Sequence, residues 1–173
     1  MNYNADSMTW LAWAKMEERE DRMGTYEEKN SARWIYSNGI KHARKFHPFY
    51  SNLGLLELRS YRPLTAKDIL SKSLKNSHRG LPWLAILQII INRASDISQF
   101  LSNMEANIRI SDNALLGLYH CNQLLGNTDE INKYEHMIKQ AGNYHEIQEK
   151  NKKMEQYIIL CREAVENSVE IGD

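Results

Sequence analysis

The sequence predicts an all-α protein, and three observations support this prediction. The 173-residue chain contains only three prolines and eight glycines. Its apolar residues recur at spacings of three and four, whereas the apolar–polar alternation typical of strands is almost absent. Several segments also begin and end with residues that cap helices. We therefore expect a helical bundle with two stacked helical hairpins and a long C-terminal helix.

The composition is that of an ordinary globular chain, with 42% hydrophobic and 25% charged residues. Lys plus Arg equals Asp plus Glu, at 22 each, so net charge favours neither nucleic acid nor an acidic partner. We interpret residues 1–173 as a single domain. N-terminal helices occupy 7–80, helical hairpins occupy 81–142 and a long helix occupies 143–169.

The first predicted helix runs from Ser7, as N-cap, to Met23, with Gly24 as the stop. Its first half is apolar almost all round, which is typical of a helix covered on more than one side. Trp10 and Trp13 lie in this half. They belong either to the core or to a surface that anchors a partner protein.

The second predicted helix begins at a capping box, with Thr25 as N-cap and Glu28 three residues later. It runs through Trp34 and ends or kinks at Ser37-Asn38-Gly39. A short apolar helix follows Pro48. A further helix spans Thr65 to about Leu74, with Thr65 as its cap, and residues 76–80 form a polar loop.

The most basic segment of the chain is residues 41–47. With two later arginines it forms a candidate nucleic-acid-binding patch, and Phe46, Phe49 and Tyr50 supply aromatic rings of the kind that stack on bases. The patch consists of Lys41, Arg44, Lys45, Arg59 and Arg62. One alternative is a solvated basic face without a ligand. Another is that the acidic residues of 17–20 and 27–28, close in sequence, neutralise the patch within the fold.

Residues 81–142 contain a pattern that repeats after 34 residues. The apolar positions Leu81, Leu84, Leu87, Ile90, Ile91, Ile97, Phe100 and Met104 fall on Leu115, Leu118, Cys121, Leu124, Leu125, Ile131, Tyr134 and Ile138. This predicts two copies of one helical hairpin, each covering the apolar face of the other.

The second copy of this repeat has clear helix boundaries. Ser111 is a good N-cap, Gly126 a good C′ residue, Asn127 or Thr128 caps the next helix, and Gly142 ends it. In the first copy only Ser95-Asp96 suggests a break. Residues from Pro82 to Met104 therefore form either two helices or one bent helix.

A 34-residue helical hairpin resembles the tetratricopeptide family, over about a third of the chain. If Phe100 and Tyr134 take the large aromatic position of the second helix, the family's small residues fall at four places. This sequence departs from the family at all four, which are Leu84, Asp96, Leu118 and Glu130. The resemblance implies stacked hairpins with a groove for a partner peptide.

The C-terminal helix carries a seven-residue seam. Its positions are Tyr144, Ile147, Asn151, Met154, Ile158, Cys161, Val165 and Ser168. The seam either docks on the last hairpin or, over residues 147–165, pairs with a second copy of the chain or with a partner helix.

No catalytic, cofactor or metal-binding motif is present in the sequence. His42 and His47 are close together, but no thiol or carboxylate follows at ligand spacing. Cys121 and Cys161 lie on apolar helix faces, which predicts buried free thiols in a reducing cytosol. We therefore expect a cytoplasmic protein that is not an enzyme and has no cofactor or metal.

The sequence thus favours a non-enzymatic protein-interaction module, such as an adaptor, a chaperone or a regulatory subunit. Its binding surface is either the apolar first helix with Trp10 and Trp13, or the exposed faces of the hairpins. The hairpin candidates are Gln88, Asn92, Tyr119, His120, Asn122 and Gln123. The alternative is a small nucleic-acid-binding subunit that uses the basic patch. The longest apolar run, 81–91, is too short to cross a membrane.

Overall fold

A computed structural model describes residues 3–92 and 97–171 of the chain. Over these ranges the protein forms nine α-helices and one 3-10 helix and contains no strand, so the predicted all-α class is confirmed. The α-helices are α1 (Tyr3–Arg19), α2 (Ala32–His42), α3 (His47–Arg59), α4 (Pro63–Ser73), α5 (Leu81–Ile91), α6 (Ile97–Ala106), α7 (Asp112–Leu125), α8 (Thr128–Lys139) and α9 (Tyr144–Glu166), and the 3-10 helix is His78–Gly80.

The buried apolar side chains form two clusters that α3 and α4 connect. One cluster joins α1 and α2 to α3, and the other lies among α5 to α9. On α3, Leu56 faces the first cluster and Leu58 the second; on α4, Ile69 faces the first and Leu70 the second. The two middle helices therefore bury apolar residues on two sides and hold the N-terminal helices against the rest.

Helix α1 lies earlier in the chain than the sequence predicts. Ser7 is a buried residue inside the helix and not its N-cap. The helix ends at Arg19, because the chain turns at Asp21, whose φ of 59° is left-handed. The predicted end at Met23 is therefore wrong by four residues.

Helix α2 begins later than predicted. The Thr25 hydroxyl accepts a hydrogen bond from the Glu28 N–H at 3.0 Å, as in a capping box, but no helix follows. Ser31 is the N-cap and accepts from the Trp34 N–H. Residues 37–39 lie inside α2 and do not end it. Gly39 is needed there because the Phe49 ring packs against it: a Cβ would lie 2.8 Å from that ring.

Helices α3 and α4 each begin with a proline in the first turn, Pro48 and Pro63. Thr65 lies inside the first turn of α4 and is not its N-cap, contrary to the sequence prediction. Its hydroxyl instead donates a hydrogen bond to the Glu170 carboxylate, which comes from the segment after α9.

Helices α5–α6 and α7–α8 form two consecutive packed hairpins, and α7 packs on both α5 and α6. The paired residues Leu84 and Leu118 are each 1% exposed, while the 34-residue repeat itself stays a prediction. Helix α5 ends at Asn92, which has a left-handed φ of 65°, so a single bent helix is excluded. The break predicted at Ser95-Asp96 lies outside the described residues.

The predicted boundaries of the second hairpin are confirmed in part. Ser111 accepts a hydrogen bond from the Ala114 N–H, and Gly126 ends α7 with a φ of 77°. Asn127 occupies the N-cap position of α8 without a side-chain capping bond. Helix α8 ends at Lys139, three residues before the predicted stop at Gly142.

Helix α9 docks within the chain and contacts α3, α4, α5, α7 and α8. Its buried side chains are Ile147, Met154, Tyr157, Cys161 and Ala164. The sequence predicted that Ile158 and Val165 lie on the packed face of α9, but they are only partly buried. The preceding residues, Tyr157 and Ala164, are buried in their place. Because helices of the same chain cover this face, it is not available as a whole for pairing with a second copy.

Within the described ranges, no helix combines the length and the apolar character that crossing a membrane requires.

Candidate functional site

The predicted groove residues of the hairpins do not share one exposed surface. Asn92 and Gln123 are exposed, and Gln88 and Tyr119 are partly buried. His120 and Asn122 are 6% and 3% exposed, so the prediction that they are exposed is wrong.

Both buried residues have structural partners. Asn122 Nδ2 donates to the Leu118 carbonyl at 2.8 Å, and its Oδ1 accepts from Asn127 at 2.9 Å, which joins α7 to α8. His120 Nε2 lies 2.6 Å from Asn151 Oδ1 on α9. Burial lowers the pKa of His120, although the Asn151 hydrogen bond opposes this effect.

Trp10 and Trp13 pack inside an aromatic cluster of the N-terminal helices. Their ring centroids are 5.6 Å apart, and each lies 6.4 Å from the ring of Trp34 on α2. Both rings are partly buried against the first apolar cluster. This arrangement gives the two tryptophans a packing role, while a role in anchoring a partner stays a prediction.

The residues of the predicted basic patch differ in their surroundings. Arg59 pairs with Glu18 at 3.2 Å, and Arg62 pairs with Glu170 at 3.2 Å. Lys41, Arg44 and Lys45 are exposed near the turn between α2 and α3. Phe49 and Tyr50 are buried at 1% and 4% exposure, so they cannot present rings for base stacking.

The structure brings together a different set of residues around a cavity of about 460 Å³ between α3, α4, α5 and α9. We call this space the Trp83 cavity. It is lined by His47, Ser51, Gly54, Leu55, Arg59, Leu70, Gly80, Trp83, Lys153, Gln156, Tyr157 and Leu160. Mainly apolar walls with a few polar groups, in this range of volume, are typical of ligand-binding pockets.

Two aromatic rings form one wall of the Trp83 cavity. The rings of Trp83 and Tyr157 meet edge to face, with centroids 5.0 Å apart and an angle of 86°. The Tyr157 hydroxyl donates to the Trp83 carbonyl oxygen at 2.8 Å. Burial raises the pKa of Tyr157 well above its ordinary value, so the hydroxyl stays protonated and this donor holds α9 on α5.

His47, the first residue of α3, also lines the cavity. Its Nδ1 lies 2.9 Å from Ser73 Oγ. Burial, and then the charge of Arg79, lower the pKa of His47 below its ordinary value, so the imidazole is neutral at neutral pH. Ser73 is 1% exposed and therefore cannot act as a nucleophile on a ligand in the cavity.

A second cavity of about 460 Å³ adjoins the first and shares His47 and Trp83 with it. We call it the Arg109 cavity. Its remaining lining residues are Arg79, Arg109, Ile110, Ser111, Asp112, Asn113 and Lys150. Asp112 accepts from Lys150 at 3.0 Å and from Asn143 at 2.9 Å, so its negative charge is already engaged.

The two cysteines of the chain are free thiols in the packed interior. Cys121 and Cys161 are both buried, and burial raises the pKa of each thiol to about 12. Such thiols stay protonated and are poor nucleophiles. Among residues 3–92 and 97–171, no group of three His, Cys, Asp or Glu side chains is arranged to hold a metal ion.

The sequence interpretation missed Trp83, Lys153, Gln156 and Tyr157 as site residues. One signal was present: in the 34-residue register, Trp83 falls on Gly117. Because one copy has a large aromatic residue where the other has glycine, the Trp83 side chain cannot belong to a packing contact that both hairpins share. The residues from α9 had no comparable signal, because the cavity arises only when that helix docks.

Comparison with protein-family models, with curated proteins and with solved structures finds no significant match to this chain.

Proposed function

We propose that the protein is a non-enzymatic, cytoplasmic protein-interaction module that holds an apolar side chain of a partner protein in the Trp83 cavity. The observation that supports this proposal most directly is the cavity itself, an open space with aromatic and aliphatic walls beside Trp83 and Tyr157. Side chains that anchor protein interfaces fill such pockets. Roles as an adaptor, a chaperone or a regulatory subunit all fit this activity.

The side chains around the cavity favour binding over catalysis. His47 is hydrogen-bonded to a buried serine. The described thiols lie elsewhere, in the packed interior. A catalytic site needs a nucleophile and a base placed together. In the described lining the Ser51 hydroxyl instead donates to the Pro48 carbonyl, and His47 contacts Ser73.

A protein partner is also favoured over nucleic acid. In the predicted basic patch, Arg59 and Arg62 are ion-paired within the chain, which leaves only Lys41, Arg44 and Lys45 as its exposed cations without an ion pair to a described residue. The nearby rings of Phe49 and Tyr50 are buried. Affinity for nucleic acid comes largely from cations free to neutralise phosphates. If α5–α8 are tetratricopeptide-like repeats, this also favours a peptide ligand. That α5–α8 are such repeats stays a prediction.

The proposal is tested by selecting short peptides from a random displayed library on the wild-type protein. A matched blocking variant, Gln156→Trp, places a large ring at the mouth of the Trp83 cavity. Gln156 is exposed, so we expect its stability to change by less than about 0.5 kcal/mol. Selected peptides should bind this variant at least about tenfold more weakly, because the ring occupies their site.

The control is Lys152→Trp, which adds the same ring to the same helix at an exposed position outside the cavity. It should leave peptide affinity unchanged. Peptides that bind both variants as tightly as the wild type, or a selection that yields no binding peptide, would contradict the proposal. Circular dichroism and thermal unfolding of both variants show whether the fold is retained.

A further inference from the structure

The charges around the two cavities are unequal, although the whole chain is neutral. Among the described lining residues, cations outnumber carboxylates: Arg59, Arg79, Arg109, Lys150 and Lys153 face a single acid, Asp112. Glu18 neutralises Arg59 from outside the cavities, and Asp112 neutralises Lys150.

Three cations remain after these pairs are set aside. Arg79, Arg109 and Lys153 form no ion pair with any described residue, and all three are exposed. We call them the cationic rim. Arg79 and Arg109 line the Arg109 cavity, and Lys153 lines the Trp83 cavity. Trp83 lines both spaces, so each of the two cavities that share this residue also carries at least one unpaired cation.

We infer that the occupant of this site is an acidic segment of a partner protein, with one apolar side chain in the Trp83 cavity and flanking carboxylates on the cationic rim. This inference rests on the proposed function and adds the chemistry of the partner. The apolar walls of the Trp83 cavity bind the apolar side chain of the partner, and the cationic rim favours acidic residues next to it in the partner's sequence. A basic segment would place like charges beside Arg79 and Lys153, at a cost in affinity.

The cavity favours an acidic peptide over a nucleic acid strand. Base stacking needs an open ring face, whereas Trp83 is partly buried and its ring meets that of Tyr157 edge to face. The Trp83 cavity also offers mainly apolar surface, which suits an aliphatic or aromatic side chain better than a sugar-phosphate chain.

The test uses three synthetic peptides that share a central phenylalanine. Its flanking blocks are glutamate in the first, glutamine in the second and lysine in the third. Titration calorimetry on the full chain should give the glutamate peptide at least about tenfold higher affinity than the glutamine peptide. Raising the salt from about 50 to 500 mM should reduce this difference, because exposed charges are then screened.

Two charge-reversal variants test whether the preference for the glutamate peptide comes from the cationic rim. Lys153→Glu and Arg79→Glu should each lower the affinity of the glutamate peptide by about tenfold and leave that of the glutamine peptide nearly unchanged. The matched controls are Lys152→Glu and Lys75→Glu, which reverse exposed charges that line neither cavity. They should have little effect on either peptide.

The outcomes separate this inference from the proposed function. If glutamine and glutamate peptides bind equally and Gln156→Trp blocks both, the acidic partner is excluded while the interaction module stands. If none of the three peptides binds, the inference fails, and the library selection alone decides the proposed function. If a single-stranded oligonucleotide displaces the glutamate peptide and binds more tightly in a Trp83-dependent way, the partner is a nucleic acid and the inference is overturned.

Discussion

At the scale of single residues, the carboxylate of Glu57 is held in the interior by two hydrogen-bond donors and one further cation. Its side chain is fully buried. The Tyr26 hydroxyl donates to it at 2.9 Å and Arg33 Nε at 2.8 Å, and Arg62 Nε lies 3.8 Å away. A buried charge is tolerated only with such partners, so this network fixes how the loop before α2 meets α3.

The first prediction concerns Arg33. Arg33→Ala should lower the free energy of unfolding by about 3–5 kcal/mol, because it leaves the buried Glu57 carboxylate without its closest cation. Arg33 also donates to the Gly24 carbonyl and to Ser60 Oγ, and these bonds are lost with it. Chemical denaturation of the two proteins measures the difference.

A double variant distinguishes this cause from simple loss of packing. Arg33→Ala combined with Glu57→Leu removes the buried charge together with its partner and should be more stable than Arg33→Ala alone. A double variant that is less stable than the single one would show that the charge is not the source of the loss.

At the scale of elements, the crossing of α5 and α7 depends on the absence of a side chain at Gly117. A Cβ there would lie 2.7 Å from Pro82 Cβ and 2.9 Å from Met104 Sδ. The sulfur belongs to a flexible side chain, but the proline ring cannot move without shifting α5. The two hairpins therefore stack closely only with glycine at this position.

The second prediction is that Gly117→Ala destabilises the protein by about 1–3 kcal/mol through overpacking of this crossing. Gly142→Ala is the matched control, since a Cβ there would meet nothing within 4 Å. It should leave the unfolding midpoint unchanged or raise it slightly. Equal losses in both variants would mean that the crossing tolerates the methyl group.

The N-terminus of helix α4 is capped by Glu170, a residue far away in the sequence. The Glu170 carboxylate accepts from the Leu64 N–H at 2.8 Å and the Thr65 N–H at 3.1 Å, and it pairs with Arg62. Burial alone would raise the pKa of Glu170, but the hydrogen bonds from Thr65, Leu64 and Arg62 lower it overall. Glu170 thus caps the N-terminus of α4, the role that the sequence analysis predicted for Thr65.

The third prediction is that Glu170→Ala lowers stability by about 1 kcal/mol, the usual loss when a helix cap is removed. Because the folded-state pKa is lowered, this contribution is present above the ordinary value of 4.5 and is lost as the pH falls through the folded-state pKa. The wild type and the variant should therefore differ at neutral pH and converge in acid. A constant difference would exclude the ionised carboxylate as its source.

At the scale of the whole molecule, two histidines with lowered pKa values couple folding to pH. His47 lies at the start of α3 and His120 lies on α7, and burial is the main cause of the pKa shift in each. Near the ordinary value of 6.5 the unfolded chain takes up protons at these residues while the folded chain does not. The unfolded state is therefore favoured increasingly as the pH falls below that value.

The fourth prediction is that the free energy of unfolding falls between about pH 6.5 and pH 5. Denaturant titrations at a series of pH values measure it. His120→Asn should flatten part of this slope, since its side chain cannot take up the proton. If the wild type shows no loss across this interval, neither histidine has the lowered pKa.

The fold class and the hairpin positions could be predicted from the sequence, because apolar spacing and local caps such as Ser111 and Gly126 are properties of neighbouring residues. The N-terminal boundaries could not. The start of α2 follows the left-handed turn at Asn30, and its continuation through residues 37–39 depends on the packing of Phe49 against Gly39. The site could not either: Lys153 and Trp83 are 70 positions apart in sequence, and tertiary docking alone places them at one cavity.

The four tryptophans of the chain lie in two separate places. Trp10, Trp13 and Trp34 are mutual neighbours, whereas Trp83 stands apart at the cavity wall. With phenylalanine at the first three positions, and with excitation at a wavelength that tyrosine does not absorb, the fluorescence would come from the single indole beside the cationic rim. Iodide is an anionic quencher that those cations attract. It would quench this fluorescence while the cavity is empty and lose its effect once a ligand is bound.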